Sequence, residues 1–232
     1  MRMDTTVALV VGGTAGLGRE VARQLAVRGQ RVIITGRDGA RAEAVAREIG
    51  GATSGIALDL GRPEGIAGSL VGIERVDHLV LAAVGPAANT VRDFDVERAR
   101  QAATVKLVGY PEVVHVLSGR FGPGAAVVLF GGLAMERPSP GSTMITTANG
   151  GVSALVRSLA SELAPVRVNA VHPGIVGDHP KYVEMDQRSV IARTPIGRLV
   201  TMAEVAGSVL FLLDHAAVNG INLRVDGGWM LR

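Results

Sequence analysis

The 232-residue sequence contains no cysteine and few aromatic residues. The absence of cysteine excludes a disulfide framework and thiolate chemistry, so we expect a cytoplasmic protein. Only 3% of the residues are aromatic although 47% are hydrophobic, so alanine, valine, leucine and glycine must build the core. Such small side chains favour close packing of helices against a sheet.

Long apolar runs and basic clusters are also missing. No run approaches the length of a membrane span, and the first residues lack the apolar stretch of a signal peptide. Of the 24 basic residues only Lys106 and Lys181 are lysines, and the arginines are scattered. We therefore expect neither a membrane nor a nucleic-acid partner, although the net charge of +3 would help to attract an anionic ligand.

The stretch from Thr6 to Arg19 predicts a phosphate-binding turn. Its first residues, through Val11, are β-branched and apolar and indicate a buried strand. Glycines at positions 12, 13, 16 and 18 then turn the chain into a helix predicted over Arg19–Arg28. Unpaired N–H groups and the helix dipole favour an anion at such a helix start, and glycines let it approach the backbone. The alternative is an ordinary tight turn between a strand and a helix.

Strands and helices alternate along the rest of the chain. Further strands are predicted over 31–35, 54–58, 77–81, 125–130, 167–171 and 222–225, and further helices over 38–49, 63–70, 96–118, 144–163 and 204–213. Because Pro111 lies inside the long helix, we expect a kink there. The alternation predicts a single doubly wound α/β domain over 1–232, with ligands bound beyond the carboxyl ends of parallel strands.

Several motifs in this order resemble those of the short-chain dehydrogenase/reductase family. They are Gly12-x-x-x-Gly16-x-Gly18, Asp59-Leu60, the segment 167–174, Thr194-Pro-Ile-Gly-Arg198, Glu204-Val-Ala206 and Val225-Asp-Gly-Gly228. The resemblance runs nearly end to end and implies a Rossmann sheet of seven parallel strands. It also implies a substrate lid at about 177–195 and a homotetramer built through the two long helices and the last strand.

The resemblance further implies a nicotinamide dinucleotide cofactor. The residues expected to bind it are Gly12, Thr14, Gly16, Leu17, Gly18, Arg37, Asp59, Leu60, Gly85, Pro173, Gly174 and Val176. NAD-preferring members carry an acidic residue at the end of the second strand, where this chain has Gly36 followed by Arg37. A guanidinium suits a 2′-phosphate, so we expect NADP(H) to be preferred over NAD(H).

The family's catalytic identities are missing in this comparison. The resemblance places Ile145 at the tyrosine position, Asn149 at the lysine position and Gly131 or Gly132 at the serine position, with Gly132 taken as the candidate. Lys106 stands where the family has an asparagine, so lysine and asparagine are exchanged between two helices. If these helices pack as in the family, the ammonium could meet the amide and bind the ribose or hold a water. The alternative is that Lys106 is a solvated residue.

Other proton donors are conceivable in the predicted lid and beside Ile145. Tyr182 and His179 lie in the lid segment, whereas Thr146 and Thr147 carry hydroxyls of poor acidity. His172 is expected to be structural. No histidine or carboxylate set has metal-ligand spacing, so no metal is expected.

Three functions remain open at this point. The first is an NADP(H)-dependent oxidoreductase for a carbonyl or alcohol substrate with a non-standard or impaired catalytic centre. The second is a non-catalytic cofactor-binding or regulatory protein, and the third is lyase or isomerase chemistry in a remodelled pocket. The sequence does not identify the small-molecule substrate.

Overall fold

The computed structural model describes residues 5–85 and 89–231, and within them the chain forms one parallel sheet. The first four residues, which bear on the predicted absence of a leader, lie outside this part. The strands are β1 Val7–Val11, β2 Arg31–Gly36, β3 Thr53–Ala57, β4 Val76–Leu81, β5 Phe121–Phe130, β6 Arg167–Pro173 and β7 Asn222–Val225. Their order is β3-β2-β1-β4-β5-β6-β7, which confirms the predicted doubly wound sheet of seven strands.

Helices cover both faces of the sheet. Their bounds are α1 Gly16–Val27, α2 Gly39–Ile49, α3 Ile66–Ser69, α4 Val96–Ala103, α5 Tyr110–Leu117, α6 Thr143–Glu162, α7 Arg188–Ile191 and α8 Met202–Asp214. One apolar core joins the sheet to α3, α5 and α6, and the other joins it to α1, α2 and α8. Strand β1 serves both, because Leu9 and Val11 point into the first core while Ala8 and Val10 point into the second.

Helix α1 begins earlier than predicted. It starts at Gly16 instead of Arg19, since the N–H of Arg19 already donates to the carbonyl of Ala15 at 3.2 Å. Gly16 has a φ of 53°, which glycine adopts without strain. The first helical turn therefore lies inside the glycine-rich turn and presents its N–H groups there.

The long helix predicted over 96–118 is divided by a π-helical stretch, Thr104–Gly109, between α4 and α5. Pro111 lies in the first turn of α5, where its missing N–H removes little. The irregularity thus precedes the proline, and Lys106 lies within it. π-Helical turns are rare and frequently occur at functional sites.

The predicted lid, 177–195, is less irregular than expected because it contains the short helix α7. No helix in residues 5–85 and 89–231 is long and apolar enough to cross a membrane.

Candidate functional site

The glycine-rich turn after β1 is shaped by close backbone contacts. A Cβ at Gly12 would lie 2.7 Å from the backbone nitrogen of Ala83, and one at Gly18 would collide with the carbonyl of Gly12. No side chain caps the start of α1. The glycines therefore let α1 pack closely against the preceding chain, and the N–H groups of its uncapped first turn are the donors that an anion site requires.

The lid segment reaches this turn through His179. A Cβ at Gly16 would lie 2.6 Å from Nε2 of His179, so the imidazole lies directly over the start of α1. Nδ1 of His179 accepts the N–H of Lys181 at 3.1 Å, which leaves the proton of the neutral ring on Nε2. Burial and Lys181 lower the pKa of His179, while Asp178 acts in the opposite direction. His179, considered above as a proton donor, is therefore placed at the phosphate end of the site.

The end of β2 has no room for an acidic side chain. A Cβ at Gly36 would lie 2.7 Å from Cγ2 of Thr14, so any larger residue must displace Thr14. The next carboxylate, Asp38, is engaged because it accepts the N–H of Arg41 and caps α2. Arg37 is exposed, and within the described residues its guanidinium makes no hydrogen bond or ion pair.

Three further residues predicted to bind the cofactor follow β3 and β4. Asp59 accepts the N–H of Gly61 at 2.9 Å, and Leu60 is buried against Gly109 of the π-helical stretch. Gly85 lies beside α4, where a Cβ would contact the backbone of Ala102 at 3.5 Å. These residues lie at the carboxyl edge of the sheet, as predicted, and their contact with a cofactor stays a prediction.

The residues after β6 lie at the same edge. Pro173 ends the strand, and Gly174 donates its N–H to the carbonyl of Val225 at 3.0 Å. Val176 is buried and forms a parallel bridge with Val200. This pairing ties the start of the lid to the chain preceding α8.

Lys106 and Asn149 meet between the π-helical stretch and α6. The Nζ atom of Lys106 donates to Oδ1 of Asn149 at 2.8 Å, and both residues are buried, with 6% and 5% of their surfaces exposed. Gly151 lies at this contact between the two helical segments, and a Cβ there would require the Leu107 side chain to move. The alternative in which Lys106 is a solvated helix residue is therefore wrong. Burial lowers the pKa of Lys106 to about 8.

The two glycines after β5 face different neighbours. A Cβ at Gly131 would collide with the ring of His172, whereas one at Gly132 would lie 2.8 Å from Nδ2 of Asn149. His172 is held on both sides, since Nδ1 accepts the N–H of Gly132 at 3.1 Å and Nε2 lies 2.8 Å from Oδ1 of Asn222. Gly132 thus adjoins the Lys106–Asn149 pair, and the contacts of His172 are those of a structural residue.

The remaining candidate proton donors are engaged elsewhere. Thr146 Oγ1 donates to the carbonyl of Ala134, and Thr147 Oγ1 donates to that of Thr143. The ring of Tyr182 packs against His179 and Lys181. Within the described residues no hydrogen bond joins Tyr182 to Lys106 or Asn149. Ile145 lies one turn before Asn149 on α6 and supplies only an apolar side chain.

The main-chain part of this site is not predictable from the sequence. Lys106 also donates to the carbonyl of Phe130 at 3.0 Å and to that of Gly131 at 3.4 Å. Backbone carbonyls leave no mark in a sequence, so no signal could have revealed them. In the described part of the chain no three histidines or carboxylates come together as a metal site.

Comparison with known proteins identifies the family of this chain. A family model described as enoyl-(acyl carrier protein) reductase matches residues 12–230. Carbonyl reductase family member 4 of Xenopus tropicalis is 31% identical over 98% of this chain and 99% of its own length. Galactitol 2-dehydrogenase (L-tagatose-forming) of Cereibacter sphaeroides is also 31% identical, over 98% of this chain and 96% of its own. The chain belongs to the short-chain dehydrogenase/reductase family, whose members are oxidoreductases.

A solved structure adds the cofactor class. The 3-ketoacyl-(acyl-carrier-protein) reductase of Brucella melitensis complexed with NADH has a TM-score of 0.85 and 28% identity, covering 97% of this chain and 98% of its own. Homologues of this fold therefore bind a nicotinamide cofactor. The named substrates of the relatives differ, from a sugar alcohol to a ketoacyl thioester carrier, so family membership alone leaves the substrate open.

Proposed function

We propose that this protein is an NADP(H)-dependent oxidoreductase for a carbonyl or alcohol substrate, with a non-standard catalytic centre. The observation that carries the proposal is the buried Lys106–Asn149 pair beside Gly132. A buried ammonium is costly unless every donor finds an acceptor, and here each one does. A buried pair with all its ammonium donors satisfied indicates that the catalytic centre is remodelled rather than lost.

The chain's residues fit a nicotinamide dinucleotide. The glycine turn and the uncapped start of α1 would hold its pyrophosphate, with the Nε2–H of His179 as a further donor. When bound, this cofactor supplies or accepts a hydride. Gly132, Asn149 and Ile145 would border the reacting end, where Asn149 offers a hydrogen bond and Ile145 limits access of water.

Preference for NADP(H) is supported by the end of β2. Thr14 fills the space where an acidic side chain would stand, and Arg37 has no partner in the described residues. A guanidinium binds a phosphate by charge-assisted hydrogen bonds, which contribute about 1.5–3 kcal/mol in typical cases.

The first test replaces Arg37. We expect Arg37→Ala to weaken NADP⁺ binding by about 10- to 100-fold, because about 1.4 kcal/mol corresponds to a factor of ten. NAD⁺ binding should change less than about twofold, since NAD⁺ carries no 2′-phosphate. Fluorescence titration of both nucleotides measures this. The matched control is Arg31→Ala, an exposed arginine at the opposite end of β2. Tighter binding of NAD⁺ than NADP⁺ by the wild type would contradict the preference.

The second test concerns turnover. Carbonyl reduction needs a proton for the oxygen, and neither Ile145 nor Gly132 has one to give. Loss of a positioned acid costs about 10²- to 10⁴-fold in rate, so we expect slow reduction of simple ketones. NADPH oxidation over a panel of ketones and β-keto esters measures it. The same lack of an acid favours the second candidate, a non-catalytic cofactor-binding protein. That candidate predicts NADPH binding without turnover of any panel member.

The homotetramer stays a proposal. It is supported by exposed apolar side chains on the long helix, where Val96 and Val108 are 57% and 49% exposed, and by half-buried Leu155 on α6. Light scattering at micromolar concentration tests it; a monomer would contradict the proposal, and a dimer would contradict only the tetramer.

A further inference from the structure

We infer that Asn149, and not Lys106, is the residue that contacts the ligand. Its amide donates a hydrogen bond to a ligand oxygen beside Gly132, and Lys106 is the positioning residue that orients the amide. The inference rests on the proposed function, since the oxygen would belong to the nicotinamide nucleotide or to the carbonyl substrate. It reverses one of the arrangements considered from the sequence, in which Lys106 binds the ribose or holds a water.

Lys106 has no donor left for a ligand. An ammonium carries three N–H donors. Those of Lys106 have acceptors in Oδ1 of Asn149 at 2.8 Å, the carbonyl of Phe130 at 3.0 Å and that of Gly131 at 3.4 Å. With only 6% of its surface exposed, Lys106 could reach a ligand only by giving up one of these bonds.

These contacts determine the orientation of the Asn149 amide. The oxygen and nitrogen of an amide look alike, and their assignment follows from the hydrogen-bond network. An ammonium has no acceptor, so the atom facing Nζ of Lys106 must be Oδ1. Nδ2 therefore points away from Lys106, and it lies 2.8 Å from the position that a Cβ of Gly132 would occupy.

Nδ2 of Asn149 has no partner within the described residues. Asn149 forms the single hydrogen bond to Lys106, although 95% of its surface is buried. Nearly all buried polar groups in proteins are hydrogen-bonded, and each exception calls for an explanation. Nδ2 nevertheless keeps a small accessible surface. Among the described residues, the side-chain nitrogen or oxygen atom that is both fully enclosed and without a partner is Nε1 of Trp229, not Nδ2 of Asn149. A donor that is buried, oriented and still accessible is the arrangement expected for a ligand contact.

The groups around Nδ2 of Asn149 indicate which kind of ligand atom accepts its hydrogen bond. The ammonium on Oδ1 polarises the amide and strengthens its N–H groups as donors. A Cβ at Gly132 would clash with Nδ2, so the glycine leaves this atom uncovered on that side, and Ile145, one turn earlier on α6, offers no competing acceptor. The matching group is a neutral oxygen of a carbonyl or a hydroxyl. Since an amide gives up no proton at neutral pH, Asn149 would polarise this oxygen without protonating it.

The test follows the Asn149 side-chain amide by ¹⁵N NMR in the full-length protein. We expect its signal to shift on addition of NADP⁺ if the oxygen belongs to the nucleotide. It should shift only on adding ethyl acetoacetate to the NADP⁺ complex if the oxygen belongs to a substrate carbonyl. Lys106→Met should change this signal in the free protein, because the amide loses its fixed orientation. A residue of merely structural importance would not respond to ligands in this way.

Binding measurements accompany the spectra. If the nucleotide supplies the oxygen, Asn149→Leu should weaken NADP⁺ binding about tenfold and Lys106→Met several-fold less than that. Thr147→Ala is the matched control, since Thr147 is exposed on α6 and bonded only within it; its affinity should stay within about twofold of wild type. Titrations at a temperature well below the melting temperature of each variant exclude unfolding as the cause.

Each combination of results supports or overturns the inference, the cofactor proposal or both. If NADP⁺ binds the wild type but the Asn149 signal moves with neither ligand, the inference fails and the cofactor proposal stands. If NADP⁺ does not bind, yet ethyl acetoacetate alone shifts the signal, the inference stands and the cofactor proposal fails. If neither ligand binds, both fail.

Discussion

The carboxyl edge of the sheet holds two regions that are built in different ways. At β1 and β2 the glycine-rich turn is shaped by backbone atoms, which glycines at positions 12 and 18 allow to approach closely. At β5 and β6 the site is shaped by polar side chains, chiefly Lys106, Asn149 and His172. The first region offers N–H groups that every sequence possesses, whereas the second depends on which side chains are present.

This difference predicts how readily each region accepts substitutions. A Cβ at Gly12 or Gly18 collides with rigid backbone, so few substitutions can be accommodated there. In the second region Lys106 and Asn149 meet through their side chains from two different helical segments, so other pairs that bridge the same distance could replace them. We therefore expect the side-chain-built region to vary more readily than the backbone-built one.

The largest expected effect comes from breaking the backbone-built region. Gly18→Ala would place a methyl group against the carbonyl of Gly12, where neither atom can move without shifting α1 from β1. We expect the free energy of unfolding to fall by about 3 kcal/mol, at the upper end of overpacking effects, and NADP⁺ binding to be lost. Urea denaturation and fluorescence titration measure the two changes.

The control for this substitution is Gly65→Ala. Gly65 has no atom within 4 Å of the Cβ position and an ordinary φ of −90°, so stability should change by less than about 0.5 kcal/mol. Equal stabilities of the two variants would show that the close contact of α1 with the glycine turn is not required.

The same comparison explains what could be predicted from the sequence. The order of strands and helices follows from apolar periodicity and turn residues, and Asp38 was correctly placed at the start of α2. The start of α1 was missed because glycines at its first turn conceal the helical pattern. The π-helical stretch was missed because it is a matter of hydrogen-bond register, which side-chain periodicity does not report.

At the site, the sequence indicated that Lys106 and Asn149 could meet, as they do, but not how they are held. Which of them faces the ligand depends on the carbonyls of Phe130 and Gly131, which occupy the other donors of the ammonium. Similarly, the choice between Gly131 and Gly132 required the position of the His172 ring.

A second prediction concerns the buried ammonium of Lys106, in the region built from side chains, and its effect on stability. Burial lowers the pKa of Lys106 to about 8 from 10.5, so between these values the unfolded chain binds more protons than the folded one. The free energy of unfolding therefore rises with pH in that window. Relative to Lys106→Met, the wild type should gain about 2 kcal/mol between pH 7 and pH 9.5, since one pKa unit corresponds to about 1.4 kcal/mol.

Urea denaturation of both proteins at the two pH values measures this gain. Groups that titrate equally in both proteins cancel in the difference. His172 is the titratable neighbour to consider; burial lowers its pKa, so it stays neutral throughout this range. A difference in stability that does not change with pH would mean that Lys106 is hydrated in the folded state.

The smallest expected effect concerns His179, where a side chain joins the backbone-built region. Its Nε2–H lies over the start of α1, and a hydrogen bond from this neutral, partly exposed ring to the anionic pyrophosphate contributes about 1.5 kcal/mol, the lower end of the range for charged acceptors. We expect His179→Ala to weaken NADP⁺ binding about tenfold, and His179→Gln, which keeps a donor, to weaken it less. Because burial and Lys181 lower the pKa of His179, the ring is largely neutral at pH 7.5 and gains charge only in acid. Wild-type affinity should therefore rise relative to His179→Gln as the pH falls from 7.5 to 5.5, while titration of the nucleotide itself affects both proteins alike. Fluorescence titration at the two pH values measures this ratio. A constant ratio would show that the lid does not touch the pyrophosphate and that the cofactor is held there by backbone alone.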